Sequence, residues 1–447
     1  MRKNIFVFVH LHFGDPVIAG VLDYDEAARF GAFRYAKSYL SRGDAIPLSV
    51  QSTFALTGSP VTETANDGLP GPIRDAMPDY WGRLVFASRN GLPVEKVSNA
   101  DMLLADVAER VGFLDFSDTP EWSKRTSLYA DIPLLEDLEM LVQTADALMN
   151  HQPVEPKAAW ALQLLAQGTS MGGARPKSVI RMNGALWLAK FPAKDDRFDV
   201  SAVEHATHRM ALSAGIAVPD THLLRLPDGR HVFLSKRFDR AGSQRIPLVS
   251  ALTTLSLDES ENAKGSYMSI ANVLRQQGDD PGARELFGRM VFNAFIRNTD
   301  DHLRNHAFLY SLEHGSWHLS PAYDVNPTIS RAGVGNEFDL SINAGLRGRA
   351  ATLENLLSSA SDFGMDADAA EDAVRKVADV ITRWRSYFIE SDVDERTMAL
   401  FADTFDLSLK RFEIEDVLPN EAALAARENG DSLADTVTVS DGWTCAR

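Results

Sequence analysis

The run Asn298-Thr299-Asp300-Asp301-His302-Leu303-Arg304-Asn305, followed by Tyr323-Asp324, carries the residue types and spacing that phosphoryl transfer needs. Asp300 and Asn305 stand in a D-x-x-x-x-N pattern, in which the Asp takes the proton of an attacking hydroxyl and the Asn binds a metal ion. Asp324 supplies a second carboxylate for that metal. Between these segments Phe308-Leu309-Tyr310-Ser311, His314-Gly315 and Trp317-His318-Leu319 alternate like a short hairpin, which returns the chain toward the loop. Asp and Asn at such spacing also occur in ordinary turns and caps, so the neighbouring elements must decide.

Upstream, the small-residue stretch Gly168 to Lys177 follows an apolar run, Ala158 to Leu165, that reads as a helix. Its glycines would let backbone N–H groups approach phosphate oxygens closely. It has neither the P-loop order nor G-x-G-x-x-G, and alone it fits an ordinary turn as well. Next, Ser178 to Arg181 and Ala185 to Lys190 flank Asn183-Gly184, the strongest short hairpin signal. Lys190 ends the second strand, where a lysine either reaches nucleotide phosphates or lies exposed. Ser201-Ala202-Val203-Glu204 reads as a capping box that opens a helix running to Gly215. That gives Glu204 a structural role and leaves open a pairing with Lys190. His231 to Phe238 reads as a buried strand ending in charge, suited to a hinge that offers backbone groups to adenine. The order of these elements is that of a two-lobed kinase. The expected fold class is α+β, protein-kinase-like, with a small additional N-terminal α+β subdomain and a mostly helical C-terminal lobe.

Five segments, Ser170 to Lys177, Lys236 to Arg240, Val291-Phe292-Asn293, Asn298 to Asn305 and Pro321-Ala322-Tyr323-Asp324, together resemble the HipA family of serine/threonine kinase toxins. The N-terminal portion is similar to that family's amino-terminal domain through Gly20-Val21-Leu22, Phe33-Arg34-Tyr35, Tyr39-Leu40, Pro47-Leu48-Ser49 and Pro78 to Arg83. The resemblance implies ATP and Mg2+ as cofactors, Asp300 as catalytic base, and Asn305 and Asp324 as metal ligands. It implies a phosphate loop of Gly172, Gly173, Ala174, Arg175, Pro176 and Lys177, with Lys190 as the ATP lysine and Lys236, Arg237 and Phe238 as the hinge. His302, Leu303, Arg304, Asn305, Tyr323 and Asp324 become nucleotide neighbours. Ser170 matches a serine that family members autophosphorylate to switch themselves off. Lys236 stands where Glu is common and Arg304 where Lys is common, and neither departure removes a catalytic group. The resemblance further implies a helix-turn-helix, HipB-like antitoxin as partner, DNA contact only through it, and a protein substrate such as an aminoacyl-tRNA synthetase.

With 447 residues, 45% of them hydrophobic, the chain can bury more than one core. The expected division is an N-terminal-like subdomain over 1–125, a nucleotide-binding lobe over 126–265, a helical lobe over 266–430 and a flexible tail over 431–447. In the helical lobe, Ala370, Val374, Val377, Val380 and Ile381 repeat near helical spacing within a stretch from Asp366 to Phe388 and read as a core stripe. The formal net charge of −17 argues against independent, non-specific DNA binding. The single cysteine, Cys445, allows no intrachain disulfide, no run is long enough to span a membrane, and Met1 to Val9 reads as a first strand rather than a secretion signal. The expectation is a cytoplasmic protein.

Other residues have plainer readings. His302, His306 and His314 match no zinc spacing, and Trp81 is expected to be a buried structural residue. The D-x-x-x-x-N loop does not specify the acceptor, so a small-molecule or lipid kinase remains open. So does a non-catalytic corepressor or scaffold, which the intact Asp300, Asn305 and Asp324 argue against.

Overall fold

Alternation of apolar residues after Met1 builds the first sheet. A computed structural model describes residues 2–11, 15–107, 109–122, 137–150, 152, 159–166, 175–330 and 338–412. Strands β1 (Arg2–Val9), β2 (Val17–Asp25), β3 (Phe30–Tyr35), β4 (Val61–Glu63) and β5 (Leu114–Ser117) pair antiparallel in the order β4-β3-β2-β1-β5. On β1, Ile5, Val7 and Val9 all point inward at period two and meet Leu22 and Phe33 in one core.

The second sheet is β6 (Lys177–Met182), β7 (Ala185–Lys190), β8 (Thr221–Arg225) and β9 (His231–Lys236), in the order β6-β7-β9-β8. The hairpin expected at Asn183-Gly184 is present: Met182 pairs with Ala185, and both turn residues have positive φ, 51° and 76°, as a type I′ turn requires. After a short ribbon, β10 (Arg240–Ala241) with β11 (Gln244–Arg245), comes a three-stranded sheet of β12 (Leu248–Ser250), β13 (Ala307–Ser311) and β14 (Ser316–Leu319). Its outer hairpin, β13 to β14, is the one expected between the catalytic loop and Asp324.

The remaining lobe is mostly helical. Helices Tyr267–Gln276, Asp280–Phe295, Ala367–Thr382, Trp384–Glu390 and Glu395–Arg411 enclose the largest core, which also takes in Ala202, Val203 and Met210 of helix Val200–Ser213. The stripe expected over Asp366 to Phe388 is core-facing, yet the helix breaks at Arg383 (φ −103°, ψ 15°) and restarts at Trp384. Together the two lobes and the N-terminal sheet form an α+β, kinase-like fold. Among the described residues no helix is long and apolar enough to cross a membrane.

Buried charge ties the N-terminal unit to the rest. Arg237, whose side chain is fully buried, donates to Asp239 at 2.9 and 2.7 Å and to the carbonyl of Glu109 at 3.0 Å. Arg240 donates to Asp239 at 2.8 Å and to the Glu109 carboxylate at 3.1 Å, while Gly112 N–H donates to Asp239 at 2.8 Å. Burial opposes ionisation of Asp239, but the two guanidinium groups outweigh it and hold the carboxyl well below the usual range. Asp239→Asn leaves both cations short of their counter-charge and is expected to lower stability by about 3–5 kcal/mol. Because the folded pKa is depressed, the carboxylate's contribution is present above the unfolded value of about 4 and is lost as pH falls through the folded value. The gap between wild type and variant in urea unfolding should therefore narrow in acid; a gap independent of pH would contradict this assignment.

Candidate active site

Helix Asp280–Phe295 delivers the chain to the loop through Arg297, a non-glycine residue at φ 54°. The loop is then fixed from within. Asp300 N–H donates to the Asn298 side chain at 3.2 Å, and Asn305 Nδ2 donates to the Asp300 carbonyl at 3.1 Å. Asp301, which sequence reasoning left without a role, is the anchor beneath: it is buried, accepts from Tyr267 Oη, and meets His306 Nε2 at 3.0 Å. The loop thus holds Asp300 outward while its neighbour faces in. Burial, opposed by His302 and reinforced by the carboxylates of Asp324 and Asp301, raises the Asp300 pKa above the ordinary range, a shift toward what a general base needs.

Lys190 at the end of β7 donates to Glu204 Oε1 at 2.6 Å and to Asp324 Oδ1 at 2.9 Å. Burial pushes the lysine down, but two carboxylates at that range keep it protonated, and it pulls Asp324 down to about 2. Asn326 also donates to Asp324 Oδ1, so among the described residues Oδ2 carries no hydrogen bond. The Asp324 side chain is 42% exposed, open to a further ligand. Its backbone sits at φ 58°, a sparsely populated conformation of the kind that gathers at functional sites.

The expected capping box at Ser201 is not formed. Asp199 caps the helix instead, accepting from Ala202 N–H at 3.0 Å, because its charged carboxylate stands two residues earlier and is itself steadied by His231 at 2.6 Å. Glu204 is thereby left to Lys190.

Lys190, Glu204, Asn305 and Asp324 face a cleft of about 700 Å3, lined also by Lys236, Arg237, Phe238, His302, Arg304 and Tyr323; Asp300 is not among its lining residues. The rings of Phe238 and Tyr323 lie 5.6 Å apart, and Tyr323 Oη donates to the Arg304 carbonyl at 2.6 Å. Lys236 reaches outward to Asp220 at 2.9 Å. Leu303 is fully buried in the large core, and Lys177 is held by Asp79 at 2.9 Å; neither lines the cleft. Arg175 pairs in bidentate fashion with Asp196 at 2.9 and 2.6 Å. Ser170, Gly172, Gly173 and Ala174 lie outside the described residues. Trp81 is buried as expected, donating to the Lys177 carbonyl at 2.9 Å. Sequence reasoning missed that its neighbours Asp79, Tyr80 and Arg83, with Arg74 and Asp75, form a wall of the cleft. The Pro78 to Arg83 motif was the available signal.

The donor set suits a hard cation: Asn305 and Asp324 both line the cleft and offer an amide and a carboxylate oxygen. The volume is in the range of small-ligand and cofactor pockets.

Residues 169–384 match the family model described as the HipA-like C-terminal domain. The chain is similar to a putative kinase, Y4dM, of Sinorhizobium fredii, 28% identical over 158 residues that are 33% of this chain and 38% of that protein. It is similar to a putative kinase of Haemophilus influenzae, 26% identical over 187 residues, 35% of this chain and 52% of that one. The matches thus span about half or less of these relatives. Among solved structures, the Shewanella oneidensis toxin HipA, in a complex with HipB and operator DNA, aligns with a TM-score of 0.57 at 18% identity, over 92% of this chain and 100% of that one.

Proposed function

We propose, from the match of residues 169–384 to the HipA-like C-terminal domain, that the chain is a HipA-family ATP-dependent serine/threonine protein kinase, the toxin of a toxin–antitoxin pair. The observation that carries this reading is the meeting of Lys190, Glu204 and Asp324 with the loop of Asp300 and Asn305 around one cleft.

Asp300 orients the acceptor hydroxyl and takes its proton. Asn305 and Asp324 hold Mg2+, which when bound neutralises charge on the nucleotide's phosphates. Glu204 keeps Lys190 extended toward the cleft, and Lys190 answers the negative charge of the transferring group. Phe238 and Tyr323 give the cleft an apolar floor of the kind a purine ring occupies. Arg304 keeps the positive charge of the lysine that the family resemblance puts at that position. A helix-turn-helix antitoxin is the partner, and an aminoacyl-tRNA synthetase is the candidate acceptor. Incubating the full chain with [γ-32P]ATP, Mg2+ and a cell lysate tests the reading: labelled protein bands are expected, whereas label found only in small molecules would turn the proposal toward a metabolite or lipid kinase.

Ser170 is proposed as the autophosphorylation site. A phosphate there adds about −1.5 to −2 charge to the stretch that the family resemblance makes the phosphate loop. Phospho-Ser170 protein is expected to bind Mg·ATP about a hundredfold more weakly, and Ser170→Ala to escape self-inactivation. Mass spectrometry of protein aged with ATP, beside calorimetric nucleotide affinity, checks both; phosphorylated protein that binds Mg·ATP as tightly as the unmodified chain would contradict it.

A further inference from the structure

Two arginines from different parts of the chain line the cleft together with Glu259, Asn262 and Ser341, and lie near enough for each other's charge and that of Glu259 to be felt. Arg74 comes from the N-terminal unit, on the short helix Gly71–Asp75, which is docked by Asp75 accepting from Ser250 N–H at 2.7 Å and Oγ at 2.9 Å. Arg304 springs from the same turn as Asp300 and Asn305. Arg74 is 7% exposed, yet among the described residues its Nε and Nη1 have no hydrogen-bond partner, and Nη2 makes one long contact, 3.4 Å, to the Leu257 carbonyl. Arg304 Nε likewise has no partner among the described residues, and its Nη2 rests on Glu259 at 2.8 Å, a carboxylate 70% exposed. Burial and the nearby Arg304 charge lower the Arg74 pKa, with Asp75 and Glu259 opposing. Buried guanidinium donors left unmade are unfavourable, and two like charges side by side add to it. An anion seated between them removes both penalties.

We propose that Arg74 and Arg304 form a composite anion subsite, built jointly by the N-terminal unit and the catalytic loop, that receives a carboxylate or phosphate carried by the acceptor beside its reacting hydroxyl. The acceptor is favoured over the nucleotide because Lys190, Asn305 and Asp324 already serve phosphate and metal. An anion on Arg304, by contrast, lies beside the loop that holds the proposed base. The inference rests on the kinase reading for its occupant but not for the existence of the site.

The test is calorimetric binding of inorganic phosphate to the full chain, alone and with Mg·AMP-PNP. Phosphate is expected to bind in both cases. Arg74→Gln is expected to weaken it by at least about tenfold, Arg74→Lys by less, because a point charge replaces a fork. Arg304→Gln probes the subsite from its other side should Arg74→Gln fold poorly. Equal phosphate affinity in wild type and both Gln variants, or phosphate displaced by the nucleotide, would overturn the proposal. Failure of Mg·AMP-PNP to bind would count against the kinase reading instead, leaving the phosphate comparison readable. The source of the anion is then read from serine peptides with acidic or neutral flanks. Wild type should favour the acidic set about tenfold in kcat/KM, and Arg74→Gln should lose that preference with the KM for ATP unchanged. A preference that survives Arg74→Gln would exclude the acceptor as the source.

Discussion

Asp300→Asn is expected to reduce phosphoryl transfer by at least about a hundredfold while leaving Mg·nucleotide affinity within a few fold, since a general base supplies about 10²–10⁴ of rate and few nucleotide contacts. The substitution is close to isosteric, and the hydrogen bonds that shape the loop, from Asp300 N–H to Asn298 and from Asn305 to the Asp300 carbonyl, use only backbone atoms of residue 300. Geometry therefore survives and only the proton acceptor is lost. The pH profile gives a second handle. Burial and the neighbouring carboxylates raise the Asp300 pKa, so the base loses its proton later than an ordinary aspartate as pH rises. Activity of wild type should climb across that raised value, and the limb should vanish from the residual activity of the variant. Single-turnover transfer near the wild-type rate in a folded variant would contradict the assignment.

Asp324→Asn is expected to weaken nucleotide binding and transfer together. The carboxylate does two things: it accepts from Lys190 at 2.9 Å and leaves Oδ2 for a cation. Asn keeps the volume and tolerates the left-handed backbone that residue 324 adopts at φ 58°, so the change isolates the charge. Loss of a hard anionic ligand should raise the Mg2+ concentration needed for nucleotide binding by about tenfold or more and lower transfer by about a thousandfold. Asp324→Ala should do the same and add backbone strain. Calorimetric titration of nucleotide at several Mg2+ concentrations reads the effect; an unchanged Mg2+ requirement would remove Asp324 from the metal site.

Much of this was legible in the chain itself. The Asn183-Gly184 turn announced its ribbon because few residues accept positive φ twice in succession. Asp300, Asn305 and Asp324 could be singled out because the proposed chemistry asks for residue type and spacing at once. What escaped reading depends on contacts far apart in sequence. Glu204 read both as a capping residue and as a partner for Lys190, and only the position of Asp199, steadied by His231 thirty-two residues away, decides for Lys190. Asp301 had no role in the sequence reading, and its packing against Tyr267 and His306 makes it the anchor of the loop. Arg237 read as one residue of a hinge, and its guanidinium proves to be consumed by Asp239 and by Glu109 from the other unit. The Pro78 to Arg83 motif was the signal for Asp79 and Tyr80 in the cleft, but no local pattern reports that Arg74 joins them there.

The central claim is that the cleft between Lys190 and the Asp300 loop is a Mg·ATP site. A crystal structure of the full chain with Mg·AMP-PNP tests it most directly. The account predicts metal on Asp324 and Asn305, phosphates at Lys190 with its Glu204 contact kept, and the adenine near Phe238 and Tyr323. Nucleotide bound elsewhere, with Lys190 and Asp324 still paired and no metal on Asn305, would contradict it.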